Sequence, residues 1–350
     1  MNGWNLMKTV GVAVAAISFA PTAYSVAPVG FEWVDRFVKY EGNPILRPQG
    51  EWAADLLFNP AAIVKDGRVG ILCRGVNLRH PVTNGCWSVS NLIWAWSDDG
   101  FRFTVDAKPF LAPDATSPYK GGFEDPRLVY VPEEKLYVLT YTGVKGVGSD
   151  GRWVTPGLIA WSEDLVTWKF GGETFPDRAV CITPCRIGGK YWAYYDNHSL
   201  HTAWSEDLHQ WHLTGHCVAP PRPGKFDSEL CEAVAAPIVT DKGVLLLYNG
   251  AMGREGTLAY GRNLKAMYRE GHSTYQLGWI LLDRSDPEKV ISRCEEPVLS
   301  PTEPYELYGM VGYTLFASGL VEFKDRYFLY YGLADNRIGV ATADVARSRP

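Results

Sequence analysis

The stretch Phe123-Glu124-Asp125-Pro126-Arg127 sets two carboxylates and a guanidinium around a proline. A buried carboxyl beside a fixed positive charge is ordinary equipment for moving a proton. Similar groups recur just ahead of other apolar runs. Asp55, Phe58 and Asn59 form the first such group, and Asp177 with Arg178 a later one. Asp227, Glu229 and Glu232 follow, then Glu306, Tyr308 and Tyr313. Converging carboxylates with aromatic walls suit a sugar: acids exchange protons at the glycosidic oxygen, and rings stack on apolar sugar faces. Each group also has a plainer reading. Asp125 begins an Asp-Pro pair, which often marks only a turn, and Arg127 can pair with Asp125 or Glu124 for structure alone. Glu306 lies in a loop where water can solvate it. Glu232 follows Cys231 in an apolar run, where a carboxylate is costly unless hydrogen-bonded or functional. Trp94, Trp96 and Trp161 read as core more readily than as sugar platforms.

The elements that must position these groups repeat along the chain. One pattern is an apolar run, a tight turn with Gly or charge, and a second apolar run ending in aromatics and Gly. It appears at Asn59–Gly75, Asp125–Gly143, Thr183–Asn197, Ala235–Gly250 and Ser318–Gly332. Each copy predicts a β-hairpin. A second pattern interleaves with it: Ala95–Phe103, Ala160–Trp168 and Ala203–Trp211 share A-W-S-[DE]-D followed by an aromatic. That predicts a strand ending in a Ser/Asp turn, with the aromatic folded back over it. Leu277–Asp286 and Ile338–Asp344 are degenerate versions. Two hairpin types alternating in step over five copies predict an all-β fold, a five-bladed β-propeller of four-stranded blades. A β-sandwich supplies short strands without that alternation. In a propeller the starts of the innermost strands converge at one mouth, which is where the carboxylates fall. Arg262–Glu270 fits a short helix or an irregular loop equally well.

The N-terminus reads differently. Lys8 precedes an apolar run from Val10 to Ala20, too short to span a bilayer. Ala23-Tyr24-Ser25 then places small residues where a signal peptidase cuts. Residues 1–25 are therefore expected to be a signal peptide, with 26–350 a single catalytic domain in the periplasm or outside the cell of a bacterium. Removing the leader takes away one Lys and no acid, so the formal charge of −5 becomes −6. No Lys/Arg cluster stands out, which argues against nucleic acid as a partner, and no later segment reads as membrane-spanning. The cysteines, Cys73, Cys86, Cys181, Cys185, Cys217, Cys231 and Cys294, are odd in number. Cys181 and Cys185 lack the second pair or His that a zinc site requires, and disulfide pairing stays open.

Phe123–Arg127 resembles the F-E-D-P-R signature of glycoside hydrolase family 130, the mannoside phosphorylases and related β-mannosidases. Supporting strings run through the chain: Phe58-Asn59-Pro60-Ala61, Cys73-Arg74-Gly75, the A-W-S-x-D-L-x-x-W pair, Leu247-Tyr248-Asn249-Gly250 and Tyr330–Asp335. Families 43 and 32 share the five-bladed shape, so an arabinan- or fructan-active enzyme is the nearest confusion. The resemblance implies that Asp125 is a general acid, passing its proton through a substrate hydroxyl, and that the reaction inverts the anomeric centre. It also implies a basic cluster and a His for phosphate in the phosphorylases, and here the chain departs. Tyr248-Asn249-Gly250 stands where those members carry Tyr-His-Gly. Asp177-Arg178-Ala179 and Tyr195-Asp196 replace a Lys-Asp-Ala start and a His-Arg pair. A phosphate dianion would face the Asp196 carboxylate.

A hydrolase instead needs a base on water, about 6.5–9.5 Å from the acid in an inverting site. Glu232 and Glu306 are the candidates, with Glu229 a weaker third. Asn59, Arg74, Arg127, Asp196, Asn249, Asp335 and Tyr313 are expected to hold the substrate, and the chemistry requires no metal or cofactor. The expectation is an inverting exo-β-mannosidase acting on β-1,2-linked or related mannosides. A β-mannoside phosphorylase and a non-catalytic glycan-binding propeller are the alternatives.

Overall fold

The computed structural model of the protein describes residues 26–78, 88–253 and 273–345. The expected leader, Cys86 and the undecided stretch 262–270 lie outside the described residues. The remaining six cysteines are all unpaired thiols. Among the described residues, no helix is long and apolar enough to cross a membrane.

The fold is all-β. After β1 (Val38–Lys39) come four antiparallel strands in sequence order: β2 (Leu56–Lys65), β3 (Arg68–Val76), β4 (Ser90–Ser97) and β5 (Thr104–Val105). The next unit pairs β6 (Gly122–Val131) with β7 (Leu136–Val144). The two-residue ladder β8 (Gly146–Val147) and β9 (Trp153–Val154) intervenes before β10 (Gly157–Ser162) and β11 (Lys169–Phe175). The third unit is β12 (Cys181–Ile182), β13 (Tyr191–Tyr195), β14 (Leu200–Ser205) and β15 (His212–Ala219). In the fourth, β16 (Leu230–Ala233) and β17 (Ile238–Thr240) both pair with β18 (Gly243–Gly253), followed by β19 (Ser273–Leu282) and β20 (Val290–Arg293). The fifth is β21 (Leu315–Phe323), β22 (Arg326–Leu333) and β23 (Arg337–Asp344), and β1 returns as its fourth strand, with Val38 opposite Thr342.

Four of the five expected hairpins form antiparallel ladders, β2–β3, β6–β7, β17–β18 and β21–β22. The exception is Thr183–Asn197, whose first strand has moved upstream to Cys181–Ile182. Pro184 lacks the N–H that a longer ladder needs. Beyond it, only Ile187 and Lys190 bridge, around Gly188 and Gly189 at φ 61° and 82°.

The second repeat forms the turn its residues predict, three times over. The hydroxyls of Ser97, Ser162 and Ser205 accept backbone N–H groups two and three residues on. The carboxylates of Asp99, Asp164 and Asp207 accept the next two. Trp168 and Trp211 then fold back, each indole donating to the carbonyl three residues before it at 3.1 and 3.3 Å. These short-range bonds set where each third strand stops.

Neighbouring units share apolar cores in cyclic order. Leu72 and Trp94 of the first unit pack with Leu128 and Leu139 of the second. Val129 and Ile159 of the second join Tyr191 and Ala203 of the third. Tyr194 and Leu200 of the third meet Leu245 and Trp279 of the fourth, and these meet Leu329 and Tyr331 of the fifth. Ile71 and Ala95 of the first unit complete the cycle with Phe328 and Val340 of the fifth. Burying a side chain of this size is worth about 1.5–3 kcal/mol, so the interfaces between units hold the fold as much as the ladders do. The first strands also meet directly: β2 packs against β6 and β21, and Arg127 of β6 reaches Glu232 of β16.

Candidate active site

Two backbone bulges aim the central groups. In β2 the ladder slips between Phe58 and Ala61, and in β6 between Glu124 and Arg127. At each slip a residue of positive φ precedes a proline: Asn59 at 45° and Asp125 at 46°. Asn and Asp are the non-glycine residues that tolerate this conformation best, whereas a residue before proline prefers extended backbone. Strained bulges of this kind re-aim side chains, often at functional sites. Here they bring Asn59 Nδ2 to 2.9 Å from Asp125 Oδ1. Gly332 leaves the space Asn59 needs, because a Cβ there would collide with Asn59 Oδ1.

Three arginines surround Asp125. Arg74, on β3, reaches Asp125 Oδ1 with Nη1 at 3.5 Å and Glu124 Oε1 with Nη2 at 2.5 Å. The Ser90 hydroxyl, on β4, accepts from Arg74 Nε at 2.9 Å and donates to Glu124 Oε1 at 3.2 Å. Arg178 Nη1 lies 3.6 Å from Asp125 Oδ2 and 3.7 Å from Glu124 Oε2. Arg127 turns the other way. Its Nη2 contacts Glu232 Oε1 at 3.3 Å, its Nε donates to the Ala233 carbonyl and its Nη1 to the carbonyls of Asp125 and Pro126, each at 3.2 Å.

The protonation states diverge accordingly. Burial pushes the Asp125 carboxyl up, but Arg74, Arg178 and Arg127 with the Asn59 hydrogen bond outweigh it and hold Asp125 below the ordinary range. At Glu232 burial dominates. The charge of Arg127 opposes it, Asp125 adds repulsion, and the carboxyl is pushed up to about 8. Asp335, in the β22–β23 turn at φ 50°, is raised to about 7 by burial; Arg74 pulls down, while Asp125 and Glu124 repel. Asp177 is raised by burial and by Asp196. At neutral pH Asp125 is thus held ionised while Glu232 keeps its proton.

The structure therefore brings together Asn59, Arg74, Asp125, Arg127, Glu232 and Asp335. Asp196 lies at the edge of this group. Its backbone N–H donates to the Arg178 carbonyl at 2.9 Å, and its Oδ2 is 3.3 Å from His201 Nδ1. Sequence reasoning places Glu124 and Arg178 at the correct level but gives neither a task. The signal for Glu124 is its position one residue before the Asp-Pro bulge, which turns both acids toward the same arginines.

Other expected residues have different neighbours. Asn249 is directly opposite Glu232 in the β16–β18 ladder, yet its amide bonds both backbone groups of Ala317, at 2.8 Å each, tying β18 to β21. Tyr313, at φ 59°, exchanges backbone hydrogen bonds with Tyr275 and Leu307 beyond the short helix Pro304–Leu307. Glu229 accepts from the Ser273 hydroxyl. Glu306 is fully buried in that short helix. Its Oε2 receives Lys39 Nζ at 2.6 Å and the backbone N–H groups of Thr302 and Glu303 at 2.7 and 3.0 Å, and the Tyr331 hydroxyl lies 3.4 Å from Oε1. These partners lie on β1, in the helix cap and on β22, so this carboxylate ties three parts of the fifth unit together. Replacing it, Glu306→Gln, is expected to destabilise the protein by about 2–3 kcal/mol through the stranded Lys39 charge. Chemical denaturation measures that loss, and activity per folded molecule should persist. A folded variant without activity would return Glu306 to the chemistry.

Comparison with known proteins gives a consistent result. A family model described as beta-1,4-mannooligosaccharide phosphorylase matches residues 30–347. A beta-1,2-mannobiose phosphorylase from Thermoanaerobacter sp. (strain X514) is 30% identical over 321 residues, covering 88% of this chain and 97% of the relative. The crystal structure of a glycosyl hydrolase from Bacteroides ovatus is 30% identical, with a TM-score of 0.74 over 90% of this chain and 94% of that one. A further structure, 29% identical with a TM-score of 0.75, covers 95% of this chain and 98% of its own. It is described by the statement that the family-130 mannoside phosphorylases contain glycoside hydrolases that target beta-1,2 mannosidic linkages in Candida mannan.

Proposed function

The chain belongs to glycoside hydrolase family 130, and on that premise we propose that it is an inverting exo-β-mannosidase acting on β-1,2-linked or related mannosides. Asp125 supplies the proton and Glu232 activates water, while Asn59, Arg74 and Asp335 hold sugar hydroxyls. The observation that carries hydrolysis over phosphorolysis is the state of Arg127. Its donors already serve Glu232 and three backbone carbonyls. Arg74 likewise serves Glu124 and Ser90. A phosphate dianion binds where guanidinium donors face it unopposed, and these arginines face carboxylates. An inverting hydrolase needs a second carboxyl, set apart from the acid, to activate water, and Glu232, reached through Arg127, is that group in this reading.

Phosphorolysis is the second reading, favoured by the name of the 30%-identical relative and by two arginines, Arg74 and Arg178, flanking one carboxylate. Product analysis separates them. With β-1,2-mannobiose, the expected result is free mannose at equal rates with and without phosphate. Mannose 1-phosphate formed only with phosphate would overturn hydrolysis. Binding without product under either condition would indicate a glycan-binding module.

The same proposal takes the five units as blades of a five-bladed β-propeller, supported by the cyclic sharing of cores and by β1 completing the last unit. It takes residues 1–25 as a cleaved leader, supported by the apolar run and Ala23-Tyr24-Ser25, and so places the enzyme outside the cytoplasm.

A further inference from the structure

Glu124 and Asp125 are consecutive, and in a regular strand their side chains would point to opposite faces. The bulge between Glu124 and Arg127 instead lets both carboxylates contact the same two arginines. The sharing is uneven. Arg74 lies 2.5 Å from Glu124 but 3.5 Å from Asp125. Arg178 is divided almost equally, at 3.7 and 3.6 Å. Ser90 reinforces the first preference, because its hydroxyl touches both Arg74 Nε and Glu124 Oε1. We propose that Glu124 is a positioning residue for Asp125: it takes the nearer contact of Arg74 and shares Arg178, so that neither guanidinium closes on Asp125.

The consequence is chemical. An acid must carry a proton for part of the cycle, and two fully committed arginines would deny it one. Removing the Glu124 charge releases Arg74 and Arg178 toward Asp125 and also removes a repelling neighbour. Both effects favour ionised Asp125, so the sign does not depend on which dominates. The inference rests on Asp125 being the acid of the proposed mannosidase.

The test compares the purified protein with Glu124→Gln by two readouts. The first follows Asp125 itself, by carboxyl-carbon NMR of protein labelled at aspartate, the signal being assigned by its loss in Asp125→Asn. Its titration midpoint should fall in Glu124→Gln. The second is the pH profile of kcat/KM on β-1,2-mannobiose. The acid limb should move to lower pH, and the plateau should drop about tenfold for every pH unit by which the Asp125 midpoint falls. Ser90→Ala, a smaller change, should move both readouts in the same direction by less, and it decides the matter if Glu124→Gln fails to fold. An Asp125 midpoint that stays at its parent position, or rises, overturns the proposal. If the parent cleaves no mannoside, the functional reading falls, while the NMR titration still judges the role of Glu124.

Discussion

Asp125→Asn is expected to lower kcat on β-1,2-mannobiose by about 10³-fold while the protein stays folded. Asn keeps the shape and can still accept from Asn59, but it can neither give nor take a proton. Circular dichroism checks the fold, and steady-state release of mannose measures the loss. The expected size follows from the surroundings of Asp125: buried, on a strained bulge, and faced by Arg74 and Arg178. Near-normal turnover in this variant would remove Asp125 from the acid role and leave its bulge as a structural device.

Glu232→Gln should have a comparable effect, again about 10³-fold, with a pH signature that Asp125→Asn cannot mimic. Asp125 is held ionised while Glu232 titrates near 8. Acid and base behave as a pair with one proton between them over the neutral range. That proton rests on Glu232, the reverse of the distribution needed for turnover, so the active form is the minor arrangement of a singly protonated pair. The rate should therefore hold level through neutrality and fall above about pH 8, where the pair loses its last proton. Residual activity of Glu232→Gln should instead fall steadily through neutrality, as Asp125 alone loses its proton, with no break near pH 8. Stability supplies an independent check. The folded protein holds the Glu232 proton more tightly than the unfolded chain, so this contribution is complete below the unfolded carboxyl range. It is lost as pH rises through about 8. Denaturant midpoints of the parent should decline over that window more steeply than those of the variant. Equal slopes, with the break near pH 8 retained in the variant, would assign the group titrating there to another residue.

The reversed proton also bears on the mechanism. Family resemblance alone makes Asp125 the acid, and the charges around it would by themselves suggest a base. In the proposed mechanism a bound sugar that shields Asp125 further from solvent reconciles the two, because it strengthens burial against the arginines and favours the protonated acid. The same reasoning gives Asp335 a part. Its carboxyl is raised to about 7, so it can donate to a hydroxyl in one state and accept in the other.

Much of this protein is legible from its residues because the determining interactions are short. The Ser-x-Asp turns close within three residues, at Ser97, Ser162 and Ser205 alike. The hairpins follow from alternating apolar runs around tight turns. Asn59-Pro60 and Asp125-Pro126 mark their bulges with the residue types that tolerate positive φ. Even the level of the site could be read, since the polar groups stand at matching points of successive repeats. Which carboxylate meets which cation could not be read, because those partners are distant in sequence. Glu306 finds Lys39 267 residues away, Asn249 reaches Ala317 across 68, and Glu124 meets Arg74 across 50. A charge buried among apolar strands must be paired wherever the packing puts its partner, and the packing is set by cores that neighbouring units share. The sequence alone thus determined the strands, the turns and the bulge that carries Asp125. Only the packing of the units decided that Glu232 meets Arg127 while Glu306 meets Lys39, because ion-pair energy depends on separation in space and the order of residues along the chain does not supply it.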